Sequence, residues 1–147
     1  MTEWSGEDYA NISALQRTMA EEAVGSLRFA GSERILDVGC GDGYITRRVA
    51  GIVPAGYVVG IDPARGMLAE AARRDRVGAS GPSFVRADVR RLPFGESFDG
   101  AVSFNALHWV PQQQQALEQI ASVVHPGARV LIKSCVHPAG PAWKRLR

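Results

Sequence analysis

Short apolar runs alternate along this chain with longer segments in which apolar residues recur every three or four positions. The runs predict five β-strands, at 34–38, 57–61, 83–87, 100–104 and 128–134. The periodic segments predict helices at 13–29, between the first and second strands, after Pro63 and at 111–124. Strands that are apolar throughout and alternate with helices are typical of a parallel sheet covered on both faces. We therefore expect an α/β fold with a doubly wound parallel sheet in the strand order 3-2-1-4-5.

Local signals predict where two of the helices begin or end. Ser13-Ala14-Leu15-Gln16 has the pattern of a capping box, so we expect the first helix to begin there. Its buried side chains are expected to be those that recur every four residues, Leu15, Met19, Ala23 and Leu27. Pro126-Gly127 is expected to stop the fourth helix, whose polar first turn, Gln112–Gln115, is expected to face solvent.

A glycine-rich loop follows the first predicted strand. Gly39, Gly41 and Gly43 occupy alternate positions, and a helical sequence begins at Tyr44. Glycine accepts positive φ and lets the backbone approach a ligand, so this layout is typical of a strand that ends at a nucleotide. A dinucleotide fingerprint would need glycine in place of Tyr44, and a carboxylate such as Asp37 would repel a pyrophosphate. The loop therefore favours a ligand with positive charge, the alternative being a plain tight turn in another α/β protein.

Two further acids follow the next two strands. Asp62 lies about twenty residues after the glycine loop, where a carboxylate can accept hydrogen bonds from both hydroxyls of a ribose. The alternative is an N-cap for the helix that Pro63 opens, and both roles can hold together. Asp88 follows the third strand, with the alternative of a loop acid paired with Arg86, Arg90 or Arg91. Since the carboxyl ends of parallel strands meet at one edge, we expect Asp37, Asp62 and Asp88 to share a crevice.

These stretches resemble the class I S-adenosylmethionine-dependent methyltransferases. Ile35–Thr46 is similar to the first motif of that family and Asp88-Val89 to its third. Asn105–Val110 resembles the fourth motif of its small-molecule group, which includes the trans-aconitate and malonyl-carrier-protein O-methyltransferases. The segment around Tyr9 resembles the N-terminal lid of the same group. The resemblance implies a Rossmann-like domain, S-adenosyl-L-methionine as cofactor and a small-molecule methyl acceptor.

The resemblance also implies roles for single residues. Asp37 and the glycine loop would hold the amino-acid end of the cofactor, Asp62 its ribose, and Asp88 with the Val89 backbone N–H its adenine. The cofactor-binding residues that it implies are Tyr9, Asp37, Gly39, Cys40, Gly41, Gly43, Asp62, Pro63, Met67, Asp88, Val89 and Asn105. Asn105 is not followed by the Pro-Pro-Tyr type of tetrapeptide of amino-methylating relatives, so an amine acceptor on nucleic acid is disfavoured.

His108 lies in the loop where methyl donor and acceptor would meet. A carboxylate attacks an electrophilic methyl group without first losing a proton, whereas a hydroxyl or thiol needs a base such as histidine. His108 is therefore a candidate catalytic residue. Its alternatives are a contact to cofactor or substrate, or a loop histidine that packs on Trp109.

Composition narrows the partners and the compartment. Of the 147 residues, 46% are apolar and 22% are charged, which is ordinary for a soluble globular domain. A formal net charge of +2 is too small to imply a nucleic-acid or membrane partner. Two cysteines are too few for a disulfide framework or for a metal site from cysteine alone. With no long apolar run and no signal peptide, we expect a cytoplasmic protein.

The resemblance divides the chain into an N-terminal lid segment and helix at 1–31, a cofactor-binding domain at 32–136 and a tail at 137–147. Family members usually continue with a helix and an antiparallel pair of strands, which this sequence lacks. The fifth strand would then be an exposed edge. This implies a chain shortened relative to the family, or an edge covered by a second copy in a homodimer.

Three functions follow. The leading one is methyl transfer to a small molecule, with a carboxylate or hydroxyl oxygen favoured as the acceptor. The second is binding of S-adenosylmethionine without turnover, because much of the family's acceptor pocket lies in the region that is lacking. The third, a nucleotide-binding oxidoreductase, is disfavoured by Tyr44 and Asp37.

Overall fold

A computed structural model describes residues 6–74 and 81–134, with side chains from residue 14 onward. The helices are α1 Gly6–Gly25, α2 Tyr44–Ile52, α3 Arg65–Arg74 and α4 Gln113–Val123, and a 3-10 turn spans Leu107–Trp109. The strands are β1 Arg34–Val38, β2 Tyr57–Asp62, β3 Ser83–Arg86, β4 Phe98–Phe104 and β5 Val124–Lys133. They form one parallel sheet in the order β3-β2-β1-β4-β5. The predicted doubly wound, Rossmann-like sheet and its strand order are confirmed.

Helices cover both faces of the sheet because successive side chains of the central strands point to opposite sides. One core lies under α1 and α2 and includes Ile35, Val58, Val102, Ala23 and Val49. The other lies under α4 and includes Leu36, Ile61, Ala101, Ile120 and Val123. The carboxyl edge of the sheet is left to the loops that follow the strands, and this is where the predicted site residues lie.

The first helix begins and ends earlier than predicted. It spans Gly6–Gly25 instead of 13–29, so Ser13 lies inside the helix and the predicted capping box is wrong. Glycine at the end weakens the helix. The hydroxyl of Ser26 donates to the Ala23 carbonyl at 2.7 Å, which satisfies an acceptor of the last turn and takes the place of a further turn.

The buried face of α1 also differs from the predicted one. Ala20, Ala23 and Val24 are buried, whereas Leu15 is 58% exposed. The predicted face is therefore right at Ala23 and at Leu27, which packs against the same core, and wrong at Leu15. Small side chains at these positions let α1 lie close to the sheet.

Strand β5 follows α4 with no connecting loop. α4 ends at Val123 and β5 starts at Val124, so Pro126-Gly127 lies within the strand and is not the predicted stop of the helix. The Ser97 N–H donates to the Val123 carbonyl at 2.9 Å and completes the end of the helix. The register between β4 and β5 shifts at this point, and Gly127 has φ 81°. The irregularity accommodates a proline, which cannot donate to a ladder. The other strand bounds differ from the predicted ones by two residues at most.

Two further findings concern the described ranges alone. None of the helices within 6–74 and 81–134 combines the length and apolarity that a membrane crossing requires. Cys40 is buried and forms no disulfide.

Candidate functional site

The loop after β1 lies against the end of β2. Gly39, Gly41 and Gly43 have φ values of 74°, 54° and 77°, in the left-handed region that favours glycine. The backbone N–H groups of Gly39 and Cys40 both donate to the Ile61 carbonyl, at 2.8 and 2.9 Å. These two bonds fix the start of the loop at the carboxyl edge of the sheet.

Packing explains why the loop needs glycine at its start. A Cβ on Gly39 would lie 2.2 Å from the Cβ of Ala106, in the loop after β4. A Cβ on Gly41 would meet only the end of a flexible side chain, Cε of Met67, at 3.3 Å. The loop is thus in close contact with the loop after β4 at Gly39, whereas at Gly41 it borders only the flexible end of Met67.

Asp62, the last residue of β2, binds the backbone on both sides. Its Oδ2 accepts from the Gly41 N–H at 3.0 Å and its Oδ1 from the Ala64 N–H at 2.8 Å. The second bond forms a turn that precedes α3, which begins at Arg65. A carboxylate has about four acceptor positions, so each oxygen keeps about one for a ligand hydroxyl.

Asp37 is a buried acid next to the glycine loop. It is 2% exposed, and its Oδ2 accepts from the Thr46 hydroxyl at 2.8 Å. Within the described part of the chain it forms no ion pair. Burial raises the pKa of Asp37 to about 7, against the effect of the Thr46 bond and with a smaller contribution from the charge of Asp62. Burial, with the charges of Asp37 and Asp62, also raises the pKa of the Cys40 thiol, which therefore stays protonated.

Asp88 lies just beyond β3 and forms an ion pair. Nε and Nη2 of Arg90 donate to its two carboxylate oxygens, at 3.0 and 2.6 Å. These bonds hold the pKa of Asp88 below its usual range. Arg86 donates instead to the Pro63 carbonyl at 3.1 Å. The alternative of a loop acid paired with an arginine is thus observed, and the Asp88 side chain is still 44% exposed.

The loop after β4 carries His108. Asn105 starts the loop with φ 55°, a left-handed conformation that asparagine tolerates better than most residues. The His108 ring packs on Trp109, with 4.9 Å between centroids and 43° between planes. Nδ1 of His108 is buried and has no hydrogen-bond partner within 6–74 and 81–134. Burial also lowers the pKa of His108, so its imidazole is neutral near pH 7.

Helix α1 is attached to the glycine loop by polar contacts. Arg17 pairs with Asp42 at 3.2 Å and lies over the ring of Tyr44, 4.7 Å from its centroid. The Tyr44 hydroxyl donates to Oε1 of Glu21 at 2.6 Å. Asp42 also pairs with Arg74 at 3.2 Å. Asp42 is therefore balanced by cations of the protein itself, in contrast to Asp37.

The predicted site residues fall into two neighbouring groups. Around the glycine loop lie Asp37, Gly39, Cys40, Gly41, Gly43, Asp62, Pro63 and Met67. On the loops after β3 and β4 lie Asp88, Val89, Asn105 and His108. The side chain of Val89 is buried in the core beneath α4, which leaves its backbone as the part available to a ligand. The side chain of Tyr9 lies outside the described residues.

Two side chains that contact the predicted site were missed. Thr46 lies in the first turn of α2 and satisfies Asp37. A signal was available, because a buried strand acid needs a donor and the helix after the loop is its nearest source. Glu21 binds Tyr44 across the junction of α1 and α2, and that contact carries no signal in the sequence.

Comparison with known proteins places the chain in a family. The family described as "Methyltransferase domain" matches residues 35–127. O-methyltransferase cnsE of Penicillium expansum is 41% identical over 116 residues, which cover 74% of this chain and 41% of that protein. Malonyl-acyl-carrier-protein O-methyltransferase of Bacillus cereus is 32% identical over 120 residues, covering 79% and 43%. The crystal structure of an S-adenosylmethionine-dependent methyltransferase from Mesorhizobium loti is similar, with TM-score 0.69, 30% identity and coverage of 82% and 56%.

The chain spans less than half the length of these two relatives, 41% and 43%. The region that matches the family begins at β1 and includes the glycine loop and the acids at the ends of the next two strands. The cofactor of the family and of its solved structures is S-adenosylmethionine. On this sequence match and this fold, the chain belongs to the class I S-adenosylmethionine-dependent methyltransferases.

Proposed function

We propose that this protein binds S-adenosylmethionine at the carboxyl edge of its sheet and methylates a carboxylate or hydroxyl oxygen of a small molecule. The observation that carries the proposal is the row of acids at the strand ends, Asp37, Asp62 and Asp88, beside a glycine loop that at Gly41 borders only the flexible end of Met67. Two relatives that are named O-methyltransferases support an oxygen acceptor. The bound cofactor supplies an electrophilic methyl group on a positively charged sulfur.

The described residues fit this cofactor. Asp62 keeps acceptor positions for the ribose hydroxyls, and Asp88 is exposed enough to meet the adenine amine. Asp37 is buried and has no cation beside it among residues 6–74 and 81–134, so an ammonium group at the amino-acid end of the cofactor would supply the missing charge. The same site includes Cys40, Pro63, Met67 and Asn105, and the N–H of Val89.

The N-terminal segment acts as a lid in this proposal. The contacts of Arg17 and Glu21 with the glycine loop support it, because they hold α1 next to the proposed cofactor site. Tyr9 would contact the ligand from this segment. The proposed division of the chain is then lid at 1–31, cofactor-binding domain at 32–136 and tail at 137–147.

His108 is the proposed catalytic residue where the acceptor is a hydroxyl. Its neutral imidazole, and an Nδ1 that has no partner in the part of the chain that the structure describes, suit a base or a contact to the acceptor. We expect His108→Gln to lower kcat for a hydroxyl acceptor by about 100-fold and to remove the pH dependence of that kcat. The kcat for a carboxylate acceptor should change little. Methyl transfer measured across pH with both acceptor classes checks this. An equal loss with both acceptors at every pH would assign His108 a binding role.

Calorimetric titration tests the cofactor assignment. S-Adenosylmethionine and S-adenosylhomocysteine should bind and NAD should not. Transfer of a labelled methyl group to a panel of small carboxylic acids and alcohols then tests the acceptor class. Binding of NAD alone would overturn the proposal.

A second candidate function is cofactor binding without turnover. The proposed site residues among the described ones are nearly all cofactor contacts, with His108 alone assigned to the acceptor, and this observation favours it. Tight binding of S-adenosylhomocysteine with no labelled product from any acceptor would identify this second function.

The remaining proposals concern assembly and compartment. Within the described residues β5 pairs only with β4, so we assign its free edge to a second copy of the chain. Exposed Val130 and Ile132 on β5 support this assignment. We also assign the protein to the cytoplasm, a reducing compartment in which a free cysteine such as Cys40 is ordinary.

A further inference from the structure

Arg90 fills most of the acceptor positions of Asp88. Oδ1 accepts from the Arg90 backbone N–H at 2.9 Å and from its Nε at 3.0 Å. Oδ2 accepts from Nη2 at 2.6 Å, and Nε lies 3.1 Å away as the shared donor of the fork. A carboxylate offers about four acceptor positions. Oδ1 is therefore filled, and Oδ2 keeps about one position for a further donor.

Helix α4 holds Arg90 from the other side. Oε1 of Gln112 accepts from Nη1 of Arg90 at 3.0 Å, and Nε2 of Gln115 donates to the Arg90 carbonyl at 3.0 Å. Oε1 of Gln119 accepts from the Leu92 N–H at 2.9 Å. The guanidinium and the backbone of Arg90 are both fixed by this row of glutamines. The predicted solvent-facing turn at Gln112–Gln115 is confirmed, since all four side chains are exposed, and two of them also bind the loop after β3.

We propose that Arg90 is a positioning residue, which orients the Asp88 carboxylate so that one lone pair of Oδ2 meets the exocyclic amine of adenine, and that Gln112 and Gln115 hold Arg90 in place. This inference rests on the proposed function, in which Asp88 meets the adenine. The remaining position accepts a hydrogen bond and cannot donate one. A base that carries an amine is therefore bound. A base with a carbonyl oxygen at the same place is disfavoured, because that oxygen and Oδ2 of Asp88 would face each other as two hydrogen-bond acceptors.

The same contacts would have the opposite effect if Arg90 masked Asp88. A guanidinium that competed with the amine would weaken binding of the adenine, and its removal would strengthen binding. The geometry favours positioning, because the fork leaves Oδ2 with a free position while it fixes the plane of the carboxylate. The two interpretations therefore differ in the sign of the effect on affinity.

Arg90→Lys tests the inference, since lysine keeps the charge and lacks the planar fork. The probes are S-adenosylhomocysteine and S-inosylhomocysteine, whose base carries an oxygen in place of the amine and which also lacks a transferable methyl group. By calorimetry, the affinity for S-adenosylhomocysteine should fall about tenfold, with the affinity for the inosine analogue within about twofold. Gln112→Leu should cause a smaller loss of the same selectivity, about threefold.

Arg91→Lys is the matched control. Arg91 is the exposed neighbour, and its guanidinium forms no hydrogen bond or ion pair with the described residues. Both affinities should stay at the wild-type values, and far-UV circular dichroism should show an unchanged fold in every variant.

The outcomes distinguish a failure of the role inferred for Arg90 from a failure of the proposed function. Equal losses for both ligands in Arg90→Lys would assign Arg90 a structural role, and a gain for S-adenosylhomocysteine would show masking. Either result overturns the inference and leaves the proposed function in place. A wild-type protein that binds neither ligand overturns both.

Discussion

At the scale of single residues, the fold changes the charge of Asp37. Burial raises its pKa from 3.8 to about 7. Between these two values the folded chain holds a proton that the unfolded chain has lost. The contribution of Asp37 to stability is therefore greatest below about pH 4 and declines as the pH rises to about 7. The contribution of Asp88 to stability changes with pH in the opposite direction, because its ion pair lowers its pKa. It is present near neutral pH and is lost as the pH falls.

We expect Asp37→Asn to remove this pH dependence, because asparagine does not titrate while its oxygen can still accept from Thr46. The free energy of unfolding of the variant minus that of wild type should be about 2.5 kcal/mol larger at pH 8 than at pH 5. Urea unfolding at the two pH values measures it. Glu118→Gln, at an exposed carboxylate on α4, should show no such difference. The same relative stability at both pH values would mean that Asp37 is ionised throughout.

Two glycines give a matched pair of substitutions. Gly39→Ala should lower the free energy of unfolding by about 2–4 kcal/mol. The reason is that the substitution combines a positive φ with a Cβ 2.2 Å from that of Ala106. Gly66→Ala should raise the free energy of unfolding by about 0.5–1 kcal/mol, because Gly66 lies in α3 and an added Cβ would point into open space. Chemical unfolding of both variants checks the pair. Equal effects would contradict the packing argument.

How far the site could be predicted depends on what fixes each contact. Asp62 and Asp88 were placed correctly at the carboxyl edge because a parallel sheet brings its strand ends together. The sequence does not choose the partner of Asp88, since Arg86 and Arg90 are equally near it. Only the turn after β3 decides between them. The contact of Gln112 with Arg90 depends on how α4 lies against that turn, which no local pattern encodes.

At the scale of elements, α1 depends on α2 for its position. The bond from the Tyr44 hydroxyl to Glu21 and the contact of Arg17 with the Tyr44 ring join the two helices over the glycine loop. Tyr44 also occupies the position that argued against a dinucleotide fingerprint. One side chain thus takes part both in the loop and in the attachment of the N-terminal helix.

We expect Tyr44→Phe to loosen α1, because it removes the 2.6 Å hydrogen bond to Glu21 and keeps the ring. Amide hydrogen exchange of α1 should speed up about fivefold, for a bond worth about 1 kcal/mol. Tyr57→Phe is the control, since the Tyr57 hydroxyl contacts Ser83 at the opposite edge of the sheet, where β2 and β3 begin. Unchanged exchange in Tyr44→Phe would show that α1 is held by its apolar face alone.

The elements that were predicted least well are those whose ends are decided by tertiary contacts. Pro126-Gly127 is a common helix stop, yet α4 ends three residues earlier because Val123 meets Ser97 and Val124 pairs with β4. Ser13 has a capping pattern, but the helical conformation continues on its N-terminal side to Gly6. By contrast, β1 was predicted with its observed bounds, since its apolar run ends at a glycine loop.

At the scale of the whole molecule, β5 has no second partner strand among residues 6–74 and 81–134, and its edge is where we propose that a second copy pairs. Ile132 is 39% exposed on this strand. We expect the wild-type chain to elute as a dimer, and Ile132→Lys to shift it to a monomer, because a lysine on an edge strand opposes pairing between strands. Size-exclusion chromatography with light scattering gives the mass. Leu15→Lys, at an exposed position of α1, should leave the dimer intact. A wild-type monomer would contradict the homodimer.

The exposed ring beside His108 has a practical consequence. Trp109 is 76% exposed in the loop after β4, and the other two tryptophans of the chain are Trp4 and Trp143. A chain with phenylalanine at those two positions would carry a single tryptophan, located where the acceptor is proposed to arrive. Its emission would shift to the blue as an incoming molecule displaced water from the indole. The protein thus contains its own optical reporter for screening acceptors, independent of any turnover.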